Sequence, residues 1–374
     1  MVVITESSVK IDLKAWENKI TKKLEVFYNP VMKFNRDCSI LILNAYGKKD
    51  LQIGMPLSGS GIRGIRFLKE LKKGKIKEIN FNDYKEDFEK VLEKNLKLNN
   101  ISKKDCKINI HNKEANSFLH ESSGFDYIDV DPFGSPNPFL DFSARRISRE
   151  GILAVTATDT SALAGTYPKA CARKYWSVPL RNYLMHELGL RILIRKVQLI
   201  GAQHDKALIP VFCYAKDHYY RIFFRNEKGK KKVDEILKLH KYFLLDKELG
   251  FEVSKFNSLE GKEYAGPLWT GKLFDKKLVS KMKKEDYKKV IGSGNKEDVK
   301  FFEMLVAESK VDVVGLYDVH ELVKKHKIKN NFKFIDLINA LKKKKYKVVR
   351  THFSKYGIKS DVGLKELLGI MKKV

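Results

Sequence analysis

The chain has 374 residues, 43% of them hydrophobic, which is enough to build a core in each of two domains. No run approaches the about eighteen apolar residues of a membrane span, and the start, M-V-V-I-T-E-S-S-V-K, lacks the basic, apolar and small-residue order of a signal peptide, so the expectation is a cytoplasmic protein. Lys and Arg number 74 against 46 Asp and Glu, a formal net charge of +28 that calls for a polyanionic partner, nucleic acid first. The plainer account of that charge is the lysine-rich surface of a heat-adapted protein.

The cysteines, Cys38, Cys106, Cys171 and Cys213, are far apart and show no C-x-x-C spacing, which argues against a zinc ribbon and a disulfide framework and predicts buried, reduced thiols. Along the chain, I-L-I-L-N-A-Y (40–46) and D-L-Q-I-G-M-P-L (50–57) are strand-like. The second runs into S-G-S-G-I-R-G-I-R-F-L-K-E-L, where Ile62, Ile65, Phe67, Leu68 and Leu71 fall on helical spacing. Further strands are predicted at 77–83, 106–116, 125–131 and 151–159, with a helix after the first of these carrying Phe88, Val91, Leu92 and Leu96 on one side. This alternation implies an α/β fold with a parallel sheet covered on both faces and a ligand site at the carboxyl ends of its strands.

After residue 228 the rhythm changes. N-E-K-G-K-K-K (226–232) is a polar, basic hinge candidate, so the expected division is 1–228 and 229–374. The second part is expected to be mostly helical, with helices at 317–326 and 332–345 and a wing-like strand from Val348, Val349 and 351–353, which together suggest a winged-helix-like domain. Residues 231–374 carry a net +14, half of the total, and L-K-K-K-K-Y-K-V-V-R (341–350) is the most basic decade.

Gly59, Gly61 and Gly64 form G-x-G-x-x-G directly after a strand and at the opening of a helix, where glycine permits a tight turn and close approach of a ligand to the backbone. Asp83 ends the next strand, where a carboxylate would accept both ribose hydroxyls of a nucleoside. Glu114 and Ala115 close the third strand, placed to read an adenine edge or simply to end a solvated strand. A dehydrogenase would use such a corner for NAD, yet no separate hydride-transfer site is evident.

The fourth strand bears on the chemistry. D-Y-I-D-V-D-P-F-G-S-P (126–136) carries an acid to the strand's end and fixes it there. Pro132 removes a backbone donor, so Asp131 and its neighbouring carbonyls present acceptors only, while Phe133 offers a flat face to a base. Guanine's N1–H and N2 amine are adjacent donors that one carboxylate accepts together; adenine presents an acceptor at N1. The motif therefore reads as a holder for an exocyclic amine of a base taken out of its stack and turned toward an electrophilic methyl. Without the glycine turn and Asp83, a plain Asp-Pro turn with Phe133 in the core would be the better account.

These residues carry a resemblance to the tRNA guanine-26 N2-dimethyltransferases, enzymes that use S-adenosylmethionine. It covers nearly the whole chain and includes V-F-Y-N-P-V-M-K-F-N-R-D (26–37), S-G-S-G-I-R-G-I-R (58–66), D-V-D-P-F-G-S-P (129–136), T-A-T-D (156–159) and G-P-L-W-T-G-K-L (266–273). The resemblance implies a Rossmann-like class I methyltransferase domain over 1–228, including an N-terminal extension, and a tRNA-binding α+β domain over 229–374. It further implies that Arg36, Arg63, Ser60 and Gly61 contact the cofactor, with Asp83 on its ribose and Glu114 and Ala115 on its adenine. Asp131 would be the catalytic acid that orients the guanine amine and takes its proton, and Phe27, Pro132 and Phe133 would line the base pocket. Two departures stand out. Gly54 and Met55 occupy the place of the family's usual strand-ending acid, and residues 247–265 lack the cysteines that bind zinc in some relatives, so no metal is expected. No obligate protein partner is expected either. The competing readings are an exocyclic-amine methyltransferase acting on another RNA or on DNA, and a nucleic-acid-binding protein that no longer catalyses.

Overall fold

The computed structural model describes residues 2–13, 27–102, 106–256, 262–292, 295–329 and 332–374; Val26 of the first motif and residues 257–261 of the cysteine-free stretch lie outside them. The alternating pattern builds one seven-stranded sheet. In chain order its strands are β1 (Leu51–Met55), β2 (Ile76–Asn82), β3 (Lys107–His111), β4 (Phe125–Val130), β5 (Ile147–Ala157), β6 (Lys206–Lys216) and β7 (Tyr219–Lys228). They lie side by side as β3-β2-β1-β4-β5-β7-β6, the first five parallel and β7 antiparallel to both its neighbours. Strand order reverses between β1 and β4, which makes the crevice beyond their carboxyl ends the natural ligand site.

The helices that matter for that crevice are α1 (Lys33–Ala45), α2 (Ile62–Glu70), α3 (Phe88–Leu98), α4 (Ala115–Glu121), α5 (Pro168–Tyr175) and α6 (Met185–Ala202). One expected strand is corrected: residues 40–46 belong to α1 and its C-terminal cap. A turn at Asn29, whose side chain accepts from the Val31 amide at 3.0 Å, launches this helix. From Phe34 to Leu43 every residue of α1 is buried, so no polar face marks its period, and a short Ile/Leu run of that kind looks the same in a buried strand.

A hairpin of Val3–Glu6 and Val9–Asp12 precedes the sheet and is fastened to α3, where Asn95 and Asn99 accept from the amides of Asp12 and Lys10 at 2.9 Å each. Gly54 lies under the Phe125 ring. A Cβ there would lie 2.6 Å from the Phe125 ring, so β1 and β4 meet this closely only with glycine at that position.

Beyond β7, Gly229 turns directly into the helix Lys230–Leu237, whose Val233 and Ile236 join the same apolar cluster as the sheet. The region also holds more strand than its sequence suggests. His240–Leu245 pairs antiparallel with Phe251–Ser254 and Glu263–Trp269, and Gly357–Ser360 pairs with Tyr317–Asp318 and Val348–Arg350. The expected helices are Val319–Lys325 and Phe334–Lys343, and with Leu364–Met371 they enclose a second cluster around Leu322, Leu337, Leu341, Ile358 and Leu367.

Candidate active site

A cavity of about 400 Å³ opens at the switch point, lined among others by Phe27, Arg36, Gly59, Asp83, Asp131 and Phe133. Its size is that of a small-molecule site. A larger cavity, about 700 Å³, lies against Trp269, Arg225 and Lys359 and contains neither the glycine turn nor Asp83 nor Asp131. The smaller one is therefore the candidate site.

The glycine turn contributes Gly59 to the cavity lining, while Ser60 and Gly61 lie outside it. Gly59 and Gly61 adopt φ of +54° and +79°, the left-handed region that glycine enters without strain. The Gly59 amide donates to Asp83 Oδ2 at 2.8 Å, which draws the carboxylate at the end of β2 against the turn. At Gly64 a Cβ would meet the Phe81 ring at 2.2 Å, so the third glycine sets how closely α2 packs on the sheet. Ser60 is buried, and its Oγ has no hydrogen-bond partner among the described residues.

Glu114 and Ala115 are not in the cavity wall. Glu114 is exposed and caps α4, accepting from the amides of Asn116 and Ser117 at 2.7 and 2.9 Å. The loop before it is tied to the Asp83 strand end, since Asn82 Nδ2 donates to the Lys113 carbonyl at 3.0 Å and Asn112 Nδ2 to that of Asp83 at 2.7 Å.

Asp131 follows β4 directly and is held by Arg63, whose Nη2 donates to its Oδ2. Arg63 itself is buried behind the carboxylate, with Nη1 on Asn35 Oδ1 at 2.8 Å and on Ser39 Oγ at 3.0 Å. It is thus absent from the cavity lining, and what it reaches is the carboxylate. Behind it lies a second pair that the sequence did not disclose. Asp129 takes both arms of Arg221, at 2.7 and 3.1 Å, with Arg63 Nε 3.5 Å away. Burial alone would push the Asp129 carboxyl up, but Arg221 and Arg63 hold it below its ordinary value. The available signal was Arg221 itself, a cation inside the apolar strand Y-Y-R-I-F-F.

Arg36 does line the cavity, gripped from behind by Glu6 of the hairpin. Glu6 also pairs with Arg66 at 3.0 Å and accepts from Tyr28 Oη at 3.0 Å. Although burial opposes its charge, Arg36 and Arg66 hold the Glu6 carboxyl down at about 2.

Phe27 and Phe133 meet edge to face with centroids 4.4 Å apart, and Phe133 remains 39% exposed at the mouth beside Pro132. The loop bearing Pro132 and Phe133 is pinned by the T-A-T-D segment. The Gly134 amide donates to Thr158 Oγ1 at 2.7 Å, the Thr158 amide returns a bond to the Gly134 carbonyl at 3.0 Å, and Tyr175 Oη joins Ser135 to Asp159. Among the described residues no three His, Cys, Asp or Glu side chains gather as a metal site, and no helix is long and apolar enough to cross a membrane.

Known proteins resemble this chain over nearly its whole length. The family model described as N2,N2-dimethylguanosine tRNA methyltransferase matches residues 6–372. A tRNA (guanine(26)-N(2)/guanine(27)-N(2))-dimethyltransferase of Aquifex aeolicus is 36% identical, over 100% of this chain and 96% of its own. A tRNA (guanine(26)-N(2))-dimethyltransferase of Methanocaldococcus jannaschii is 38% identical over 93% of each. The structure of Pyrococcus horikoshii Trm1 in complex with S-adenosyl-L-methionine superposes with a TM-score of 0.86 at 35% identity, covering 99% of both chains.

Proposed function

Since this chain belongs to the N2,N2-dimethylguanosine tRNA methyltransferase family, we propose that the cavity between the glycine turn and Asp131 is where its reaction takes place. The enzyme transfers methyl groups from S-adenosylmethionine to the exocyclic N2 amine of guanine at position 26 of tRNA, giving N2-methyl- and N2,N2-dimethylguanosine. The observation that carries the site assignment is Asp131, an acceptor-only carboxylate in the cavity wall with one oxygen anchored by a buried arginine.

The residues fit the cofactor. Asp83 presents a carboxylate in the wall beside a turn whose glycines let a ligand approach the backbone, and the Ser60 hydroxyl is a buried polar group still wanting a partner. Asp83 would accept the ribose hydroxyls, Ser60 and Gly61 would meet the amino-acid end, and Arg36 would add a cation for a carboxylate. Glu114 and Ala115, at the N-terminus of α4 and outside the cavity wall, would read the adenine edge. When bound, the cofactor supplies an electrophilic methyl on its sulfonium. Phe27, Pro132 and Phe133 would then clamp a guanine extruded from its stack. With Arg63 holding Oδ2, Asp131 Oδ1 is the atom that takes a hydrogen bond from the guanine amine, turns its lone pair out of ring conjugation and accepts the proton released as the N–C bond forms. A second cycle needs Asp131 to release that proton to solvent, a fresh methyl donor, and the methylated amine to place its remaining N–H on Asp131.

Methyl transfer is assigned to residues 1–228 and the main grip on tRNA to 229–374, in the cytoplasm and without an obligate protein partner. Support for the second assignment is the exposed run Lys342–Lys345 at the end of Phe334–Lys343. Mass spectrometry of nucleosides digested from unmodified tRNA tests the reading. Wild-type protein with S-adenosylmethionine yields N2-methylated guanosine, and Asp131→Ala nearly none; an unchanged guanosine pool with wild type overturns it.

A further inference from the structure

Helix α5 stands apart from the rest of the sheet's cover. Between Thr160 and Tyr183 the chain has four cations, Lys169, Arg173, Lys174 and Arg181, and no acid. The inward side of α5, Cys171 and Tyr175, is buried, while Lys169, Arg173 and Lys174 face solvent. The nearest acid, Asp159 at the foot of the segment, is engaged by Tyr175 Oη at 2.6 Å and by Lys174 at 3.5 Å. Lys169 and Arg173 form no ion pair among the described residues.

Two large aromatic side chains bracket the helix, Tyr167 at 61% exposure and Trp176 at 47%. Trp176 is braced where it stands. It caps α5 with φ +55°, its carbonyl accepts from Arg195 Nη1 at 3.0 Å, and Lys196 Nζ sits 2.9 Å from its ring centroid. An exposed aromatic held in place among cations is the composition of a nucleic-acid platform, in which rings stack on bases and cations meet phosphates.

The position of α5 matters as much as its composition. Tyr175 Oη is 2.9 Å from Ser135 Oγ, and Asn137 Nδ2 donates to the Lys174 carbonyl at 2.8 Å, so the helix is bolted to the loop that follows Asp131. Ser135 itself lines the cavity. Extruding a guanine leaves the neighbouring bases with uncovered faces and requires the phosphates beside it to be held.

We propose that the outer face of α5 is the dock for the tRNA nucleotides flanking the target guanine, with Lys169 and Arg173 on backbone phosphates and Tyr167 and Trp176 stacking on neighbouring bases. The identity of the RNA rests on the methyltransferase reading above. This face is separate from the Lys342–Lys345 run and acts next to the reaction, where it fixes which nucleotide reaches Asp131.

The test is binding of unmodified tRNA by the full chain without cofactor, at several salt concentrations, for wild type, Lys169→Glu/Arg173→Glu and Tyr167→Ala, with S-adenosylmethionine titrated in parallel. Two lost phosphate contacts should raise the tRNA Kd at least about tenfold and flatten the log–log salt slope by about 2. Removing one stacking ring should raise it about five- to tenfold. Cofactor affinity stays at the wild-type value. An unchanged Kd and slope in the charge-reversed protein overturns the proposal, as does equal weakening for a purely acidic protein ligand used as competitor. Should charge reversal also abolish cofactor binding, Lys169→Gln/Arg173→Gln decides on the same slope. Wild type that binds tRNA but leaves guanosine unmethylated refutes the reaction, while the salt slope still judges this face.

Discussion

The sheet region around the cavity and the region from 317 to 374 treat charge in opposite ways. Around the cavity, arginines are buried and paired: Arg63 with Asp131, Arg221 with Asp129, and Arg66 with Glu6, Asp37 and Glu70. The C-terminal region closes an apolar cluster and leaves Lys342, Lys343, Lys344 and Lys345 outside; its buried lysine, Lys359, reaches out of that cluster to Glu187 of α6 at 2.7 Å. Buried pairs cost desolvation and return geometry, because each arginine fixes a carboxylate in place. The exposed lysines hold no buried carboxylate in place: Lys344 meets only the exposed Glu366, and Lys342, Lys343 and Lys345 remain available to a polyanion.

Breaking the buried side should show the largest effects. Asp131→Ala should cut the rate of methyl transfer by about 10³-fold, within the range for loss of a positioned proton acceptor, and leave S-adenosylmethionine binding intact by calorimetry. Arg63→Gln should cost about 10- to 100-fold in kcat, the equivalent of one charge-assisted hydrogen bond, with KM for tRNA unchanged. Arg63→Lys should recover part of it, since one ammonium reaches Asp131 but does not also span Asn35 and Ser39. A rise in KM with kcat untouched would instead make Arg63 a plain structural group.

Much of this site is legible in the sequence alone. The glycine turn, Asp83 and Asp131 each sit at a strand end, and strand ends are visible where an apolar run meets a polar residue. The supports are not legible there, because they come from distant segments. Glu6 reaches Arg36 from 30 residues away and Arg221 reaches Asp129 from 92, separations to which local periodicity is blind. Helix α1 fails for the opposite reason: with all sides buried, its residues carry no pattern to read. Arg63 is singled out by the resemblance alone, as a cofactor contact, while its partner in the structure is the Asp131 carboxylate, a distinction only side-chain geometry makes.

Glu6 gives the comparison a pH axis. Its folded carboxyl sits at about 2, below the about 4.3 of a free glutamate, so its ion pairs stabilise fully above about pH 4.5, and that contribution is lost as pH falls toward 2. Glu6→Gln should lower the stability at neutral pH by about 2 kcal/mol, less than the 3 to 5 of a bare buried charge because the amide keeps an acceptor for one arginine. The melting-temperature gap between the two proteins should close between about pH 4.5 and 2. The exposed pair Lys344–Glu366 offers the contrast: Glu366→Gln should leave the melting temperature where it was at every pH.

The smallest expected effect on the reaction tests the lysines themselves. Replacing Lys342, Lys343, Lys344 and Lys345 by glutamine removes four exposed charges and no buried contact, so the fold and the cofactor site should be untouched. KM for tRNA should rise about tenfold at physiological salt, and the log–log salt slope should flatten by up to about 3. Combined with Lys169→Glu/Arg173→Glu, the losses should add, because the two faces would meet different phosphates of one tRNA. If the quadruple variant weakened S-adenosylmethionine as much as tRNA, the charged surface and the buried network would be one system, and the division between holding the carboxylate and holding the RNA would fail.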